Sequence, residues 1–210
     1  MVFMAQKAAF QLAFHVSDVY ILQASLKAIE SILPEMPKYD LRHRLEHCAV
    51  CPPDLLPHLK KNNPIIVSQP SFLYYTGQRY FNGISPSQLK WVFPFESYCK
   101  NNIQIAFGSD SPVVPSNPLT GIYAAVTSGV ENGQVLCGDE SISVIDALGM
   151  YILCGAYASF EEGIKGSVSK GKLADLVVLN NDPTQIAPEE MMDLKVIQTI
   201  MDGRVMWDSI

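Results

Sequence analysis

Leu41-Arg42-His43-Arg44-Leu45-Glu46-His47, then Pro52-Pro53-Asp54 leading into Leu55 to Lys61, then Asn62-Asn63-Pro64 and Ile65-Ile66-Val67-Ser68-Gln69: this stretch sets the fold. Its first part alternates, with Leu45 and His47 on one face and Arg44 and Glu46 on the other, which is the spacing of a strand. The double proline opens a helix and Asn62-Asn63-Pro64 closes it. The β-branched run at 65–69 is what a strand buried on both faces looks like. Strand, helix and strand in so short a span imply a parallel pair, because parallel neighbours need a crossover between them.

Outward from there the alternation continues. Phe10-Gln11-Leu12-Ala13-Phe14-His15 reads as a short buried strand ending on a histidine. Ile21, Leu22, Ser25, Leu26, Ala28, Ile29 and Ile32 form a helical stripe that should stop near Pro34. Downstream, residues 70–90 are polar and aromatic with Gly77, Gly83 and Pro86, and read as a long functional loop. A short helix is expected from Pro94 to Lys100 and a strand from Ile103 to Phe107, with helices at 118–130 and 142–160. Four strand–helix units therefore fill residues 1–160, the pattern of a parallel sheet with helical crossovers. Residues 161–210 change character. Gly166-Ser167-Val168, Ala174 to Leu179, Val196 to Met201 and Arg204 to Trp207 read as antiparallel strands, with turns at Lys170-Gly171 and Asp202-Gly203.

Composition bounds the function. The chain has 210 residues, 48% hydrophobic and 17% charged, enough for a real core. A closed eight-stranded β/α barrel takes about 250 residues, so a whole barrel with additional elements does not fit. The formal charge is −6 and no basic cluster exceeds Lys60-Lys61, which argues against nucleic acid and anionic membranes as partners. No apolar run approaches the roughly 18 residues of a membrane span. Met1 to Phe14 is apolar with the single Lys7 and runs straight into patterned sequence, so it reads as structure, not as a secretion signal. Five irregularly spaced cysteines fit reduced thiols in a cytoplasmic protein.

Functional groups of parallel β/α sheets gather at the carboxyl ends of the strands. Three of the four expected strand ends carry His15, His47 and Asp110, whereas the fourth, Gln69-Pro70-Ser71, offers nothing comparable. Singly, a strand-end histidine is by default a hydrogen-bonded structural group, and Asp110 in Gly-Ser-Asp-Ser-Pro fits a turn or a cap. Together, two imidazoles and a carboxylate suit zinc or a related divalent ion, which acidifies water while a carboxylate takes the proton. Cys48-Ala49-Val50-Cys51 has no second ligand pair with which to build a structural zinc site. His43 lies deeper on the strand, and His58 falls mid-helix where solvation is the default. Tyr74, Tyr75, Arg79, Tyr80 and Phe81 could line a pocket or serve packing.

These residues resemble the carboxyl-terminal half of the amidohydrolase superfamily, in its amidohydrolase family 3 or YtcJ-like branch. Residues 42–47 are similar to the strand-six motif, whose final histidine ligates metal, and Gly108-Ser109-Asp110-Ser111-Pro112-Val113 to the strand-eight motif, whose aspartate binds metal and acts as base. Residues 166–179 match the Gly-Ser-Ile-x-x-Gly-Lys-x-Ala-Asp-Leu-Val-Val-Leu run, and residues 196–205 the closing strand pair. Strand five usually shows His-Ala-x-Gly-Asp; here His15-Val16-Ser17-Asp18-Val19 keeps the histidine and places Asp18 on the glycine position. The resemblance implies an α/β fold: an incomplete TIM-type (β/α) barrel of strands five to eight over 1–160, and a partial β-sandwich over 161–210. It implies hydrolysis of carbon–nitrogen, non-peptide bonds in a small amide-like substrate, with His15, His47 and Asp110 as metal ligands and Asp110 as catalytic base. Zinc is the expected metal, with His15 and His47 at one position and Asp110 at the other. The chain has no His-x-His and no matching bridging lysine, so it holds part of each position. It is therefore expected to self-associate, or to pair with a chain carrying the remaining strands, or else to be a catalytically inactive truncated product.

Overall fold

Four short strands lie side by side in the order in which the chain makes them: β1 (Ala13–Val16), β2 (Arg44–His47), β3 (Ile65–Ser68) and β4 (Ile105–Phe107), all parallel. This computed structural model describes residues 2–32 and 40–209; the expected helix stop at Pro34 lies outside them. Helix α1 (Val2–Lys7) precedes β1, and α2 (Val19–Ile32) crosses from β1 to β2. The α2 stripe buries Leu22, Ser25, Leu26, Ile29 and Ile32, as its spacing predicts. Each fully buried Leu or Ile there contributes about 1.5–3 kcal/mol relative to exposure. Helix α3 (Leu56–Asn62) links β2 to β3 and ends on Asn63 in the left-handed conformation, φ 47°.

The stretch expected to be a long functional loop is instead helical: α4 (Pro70–Gly83) and the short α5 (Pro86–Leu89). Pro70 occupies the first helical turn, where its missing N–H costs nothing. Gly77, read as a breaker, serves a close approach: a Cβ there would lie 2.7 Å from Val130 Cγ2. Tyr74, Tyr80 and Phe81 pack against the core from this helix, whereas Arg79 is exposed. Helices α6 (Phe95–Lys100), α7 (Pro118–Thr127) and α8 (Val144–Ala158) fall where the pattern puts them. Caps start the last two: Asn117 accepts from Leu119 N at 3.0 Å, and Ser143 from Asp146 N at 3.1 Å.

The tail forms an antiparallel sheet of β5 (Leu176–Leu179), β6 (Val196–Met201) and β7 (Arg204–Asp208). Asp202 and Gly203, both at positive φ, make the tight β6–β7 turn. The strand expected at Gly166-Ser167-Val168 does not form. Gly166 turns left-handed (φ 85°) against Ala156, and Val168 stays 89% exposed and belongs to no strand. A turn of 3-10 helix, Pro188–Asp193, buries Met191 in the same core as the parallel sheet.

The amino ends of the strands are fastened by Arg42. Its guanidinium lies 3.7 Å from the Tyr157 ring centroid and 4.4 Å from that of Phe160, and donates to both Glu162 oxygens (2.9 and 2.7 Å) and to Tyr157 O (2.7 Å). Gln11 Nε2 reinforces the join by donating to Arg42 O and Ala158 O. No helix among the described residues is long and apolar enough to cross a membrane.

Candidate active site

His15 and His47 meet at the carboxyl ends of β1 and β2. His47 Nε2 stands 3.2 Å from His15 Nδ1, with ring centroids 4.5 Å apart and planes at 75°. Simple alternation would not bring them together. The register pairs Val16 with His47 and His15 with Glu46, so a regular strand would put His47 on the Leu45 face, away from His15. Alternation put His47 on the Leu45 face while the resemblance put it with His15, and the backbone reconciles the two. His47 adopts φ 73° and Cys48 φ 49°, two consecutive left-handed residues without a glycine. The chain leaves strand geometry at the residue that carries the imidazole, and the ring turns to meet His15. Strain of about 1–3 kcal/mol per such residue persists where the surroundings over-determine it. Here the Tyr98 hydroxyl donates to Cys48 O at 3.1 Å, beneath a fully buried Cys48.

Gln69, passed over in the sequence as chemically uninteresting, reaches the same place. It is 4% exposed; its Oε1 lies 2.8 Å from His47 Nδ1 and its Nε2 donates to Val67 O at 3.0 Å. From the next turn of α4 the Phe72 ring stacks on His47, 6.0 Å between centroids at 19°. Glutamine is neither a usual metal ligand nor an acid or base, so only its place at the strand end beside His47 could have flagged it.

Asp110 follows β4 on the same rim. It is exposed, at φ 55°, and its carbonyl accepts from Val113 N at 3.0 Å. In the sheet, β4 lies two strands from β2, which carries His47, and three from β1, which carries His15. Among the described residues no three His, Cys, Asp or Glu side chains converge to hold a metal ion. The histidine pair alone has the right bite: two nitrogens bound to one tetrahedral zinc at about 2.0–2.1 Å are roughly 3.4 Å apart. The pair fits a divalent ion as two of its ligands.

The other singled-out residues have structural roles. Asp18 caps α2, accepting from Ile21 N at 2.8 Å. His43 is buried; Nδ1 accepts from Leu12 N at 3.1 Å, Nε2 faces Gln6 Oε1 at 2.7 Å, and burial pushes its pKa down. His58 is exposed near Glu30. Cys48 and Cys51 are buried thiols whose pKa burial pushes up, that of Cys51 to about 12, which leaves them unreactive.

With this geometry in hand, the chain can be set beside known proteins. The amidohydrolase family model matches residues 1–207. The chain belongs to the amidohydrolase family. Its relatives include YtcJ of Bacillus subtilis (strain 168), 26% identical over 97% of this chain, and N-substituted formamide deformylase of Arthrobacter pascens, 28% identical over 95%. The amidohydrolase chain spans only 39% and 37% of the lengths of those two relatives. Among solved structures, an uncharacterized metal-dependent hydrolase from Pyrococcus horikoshii OT3 superposes with a TM-score of 0.76 at 23% identity, over 88% of this chain and 37% of that one. That likeness establishes a shared fold.

Proposed function

We propose that residues 1–160 are the carboxyl-terminal half of a metal-dependent hydrolase barrel and residues 161–210 part of its β-sandwich, acting on carbon–nitrogen, non-peptide bonds of small amide-like substrates. The observation that carries the reading is the 3.2 Å approach of His15 Nδ1 and His47 Nε2 at the strand ends. His15 and His47 would hold the metal, zinc being the ion that two imidazoles and a carboxylate suit. Such an ion acidifies water and polarises an amide carbonyl. Asp110, exposed on the same rim, would be the base that takes the proton of the attacking water and returns it to the departing amine. The Arthrobacter pascens relative makes N-substituted formamides the first substrates to try.

The remaining ligands and barrel strands come from a polypeptide that pairs with this one, a second copy or a chain carrying the other strands. Support comes from the outer strands of the sheet, β1 and β4, which lack a second neighbour among the described residues. Large apolar side chains also stand exposed on α8 and after it: Ile152, Leu153, Phe160 and Ile164. The test is zinc content and formamide hydrolysis of the purified chain, alone and mixed with a chain encoding the preceding strands. The expected result is turnover in the mixture; no bound zinc and no turnover there would overturn the proposal. A second reading, a chain that keeps the fold without catalysis, draws on the lack of a third converging ligand among the described residues.

A further inference from the structure

We infer that Gln69 is the positioning residue of the site: it fixes His47 in the tautomer whose free lone pair, on Nε2, faces His15. The amide can sit only one way round. Its Nε2 lies 3.0 Å from Val67 O, an acceptor, so that atom must be the NH2 group; the reverse would set two oxygens against each other. Oε1 is then the atom 2.8 Å from His47 Nδ1, and as a pure acceptor it requires a proton there. Nε2 of neutral His47 is left bare, aimed at His15 Nδ1 from 3.2 Å. In the metal-free chain His15 Nδ1–H donates into that lone pair. An ion held by these two nitrogens would require His15 to carry its proton on Nε2, its other ring nitrogen, with no net proton released.

The shell is built for the purpose. Gln69 is buried, its carbonyl accepts from Phe72 N at 2.9 Å, and Phe72 stacks on the ring that Gln69 bonds. One turn of chain at the start of α4 therefore sets both the plane and the tautomer of His47. The inference rests on the reading of His15 and His47 as ligands for its consequence, and on the hydrogen bonds alone for its content.

The experiment is long-range proton–nitrogen correlation NMR on metal-free, histidine-labelled chain at pH 8, tractable with only four histidines, together with zinc titration by calorimetry. His47 of the unmodified protein should be the Nδ1–H tautomer; an Nε2–H tautomer overturns the inference without any variant. Gln69→Leu should mix the tautomers and weaken zinc about 10–100-fold, the usual effect of losing an outer partner. If Gln69→Leu changes neither tautomer nor affinity, Gln69 is not the positioning residue, while the metal reading stands. If the unmodified chain takes up no zinc yet Gln69→Leu releases the tautomer, the inference stands and the metal reading falls.

Discussion

Gly121→Ala offers a stability test in which two effects of opposite sign can be weighed from distances. Gly121 lies inside α7, where alanine is favoured over glycine by about 1 kcal/mol. A Cβ at this position would sit 1.9 Å from the Tyr151 hydroxyl, 3.0 Å from Tyr151 Cζ and 3.0 Å from Ser71 Oγ. Ordinary contact needs about 3.5 Å, so the phenol must retreat by about 1.6 Å. Its ring is held by Phe107, 5.3 Å between centroids, at the end of β4. Overpacking of this kind costs about 1–3 kcal/mol, and so severe a clash belongs at the upper end. The net expectation is a loss of about 1–2 kcal/mol. Tyr151→Phe removes the clashing atom. The hydroxyl is buried beside Ser71, and its removal alone is expected to change stability by under about 1 kcal/mol. In the double variant only the 3.0 Å contacts remain, and the propensity gain should nearly cancel them. Urea unfolding of the four proteins should yield a coupling of about 1–2 kcal/mol. Additivity within about 0.5 kcal/mol would refute the reasoning, because independent sites add to that precision.

Two other predictions concern the amino ends of the strands. Arg42→Ala should cost about 2–3 kcal/mol through lost ring contacts and the bond to Tyr157 O, whereas Glu162→Gln, whose side chain is 40% exposed, should cost under about 1 kcal/mol. Equal losses in denaturant would mean that the ion pair, not the rings and carbonyl, holds the join. His43, whose pKa burial lowers, binds its proton less readily folded than unfolded. Its stabilising contribution is therefore full above about pH 6.5 and declines as pH falls towards the folded value, by at most about 1.4 kcal/mol per pH unit. Comparing unfolding at pH 7.5 and 5.5 in the unmodified chain and in His43→Gln reads this directly; an identical decline in both would clear His43 of responsibility.

The element order was readable because hydrophobic period survives packing. The α2 stripe and the runs at 65–68 and 196–201 occupy the positions their spacing implies. Two glycines misled, for related reasons. Gly77 resembles a breaker but is a clearance for Val130, and Gly166 resembles the start of a strand but is a turn against Ala156. Both depend on a distant partner that local pattern does not contain. At the site, the resemblance already put His15 and His47 at one position, but the means of their meeting was not legible, because nothing about histidine announces a left-handed backbone at 47 and 48. Gln69 was invisible for a chemical reason: its part is to hold a proton in place on another residue, which its own side-chain chemistry does not advertise.

The sequential strand order also governs how the chain can fold. Arg44 pairs back to Ala13, Ile65 to Arg44 and Ile105 to Ile66, so every strand finds its partner in the segment made just before it. Among the described residues no pairing in the parallel sheet waits for a distant region of this chain, and loop-closure entropy stays small at each step. At synthesis rates of about 5–20 residues per second, each strand–helix unit is complete before the next emerges. Once β3 has been made, the chain already contains every pairing partner that β1 and β2 use in this sheet.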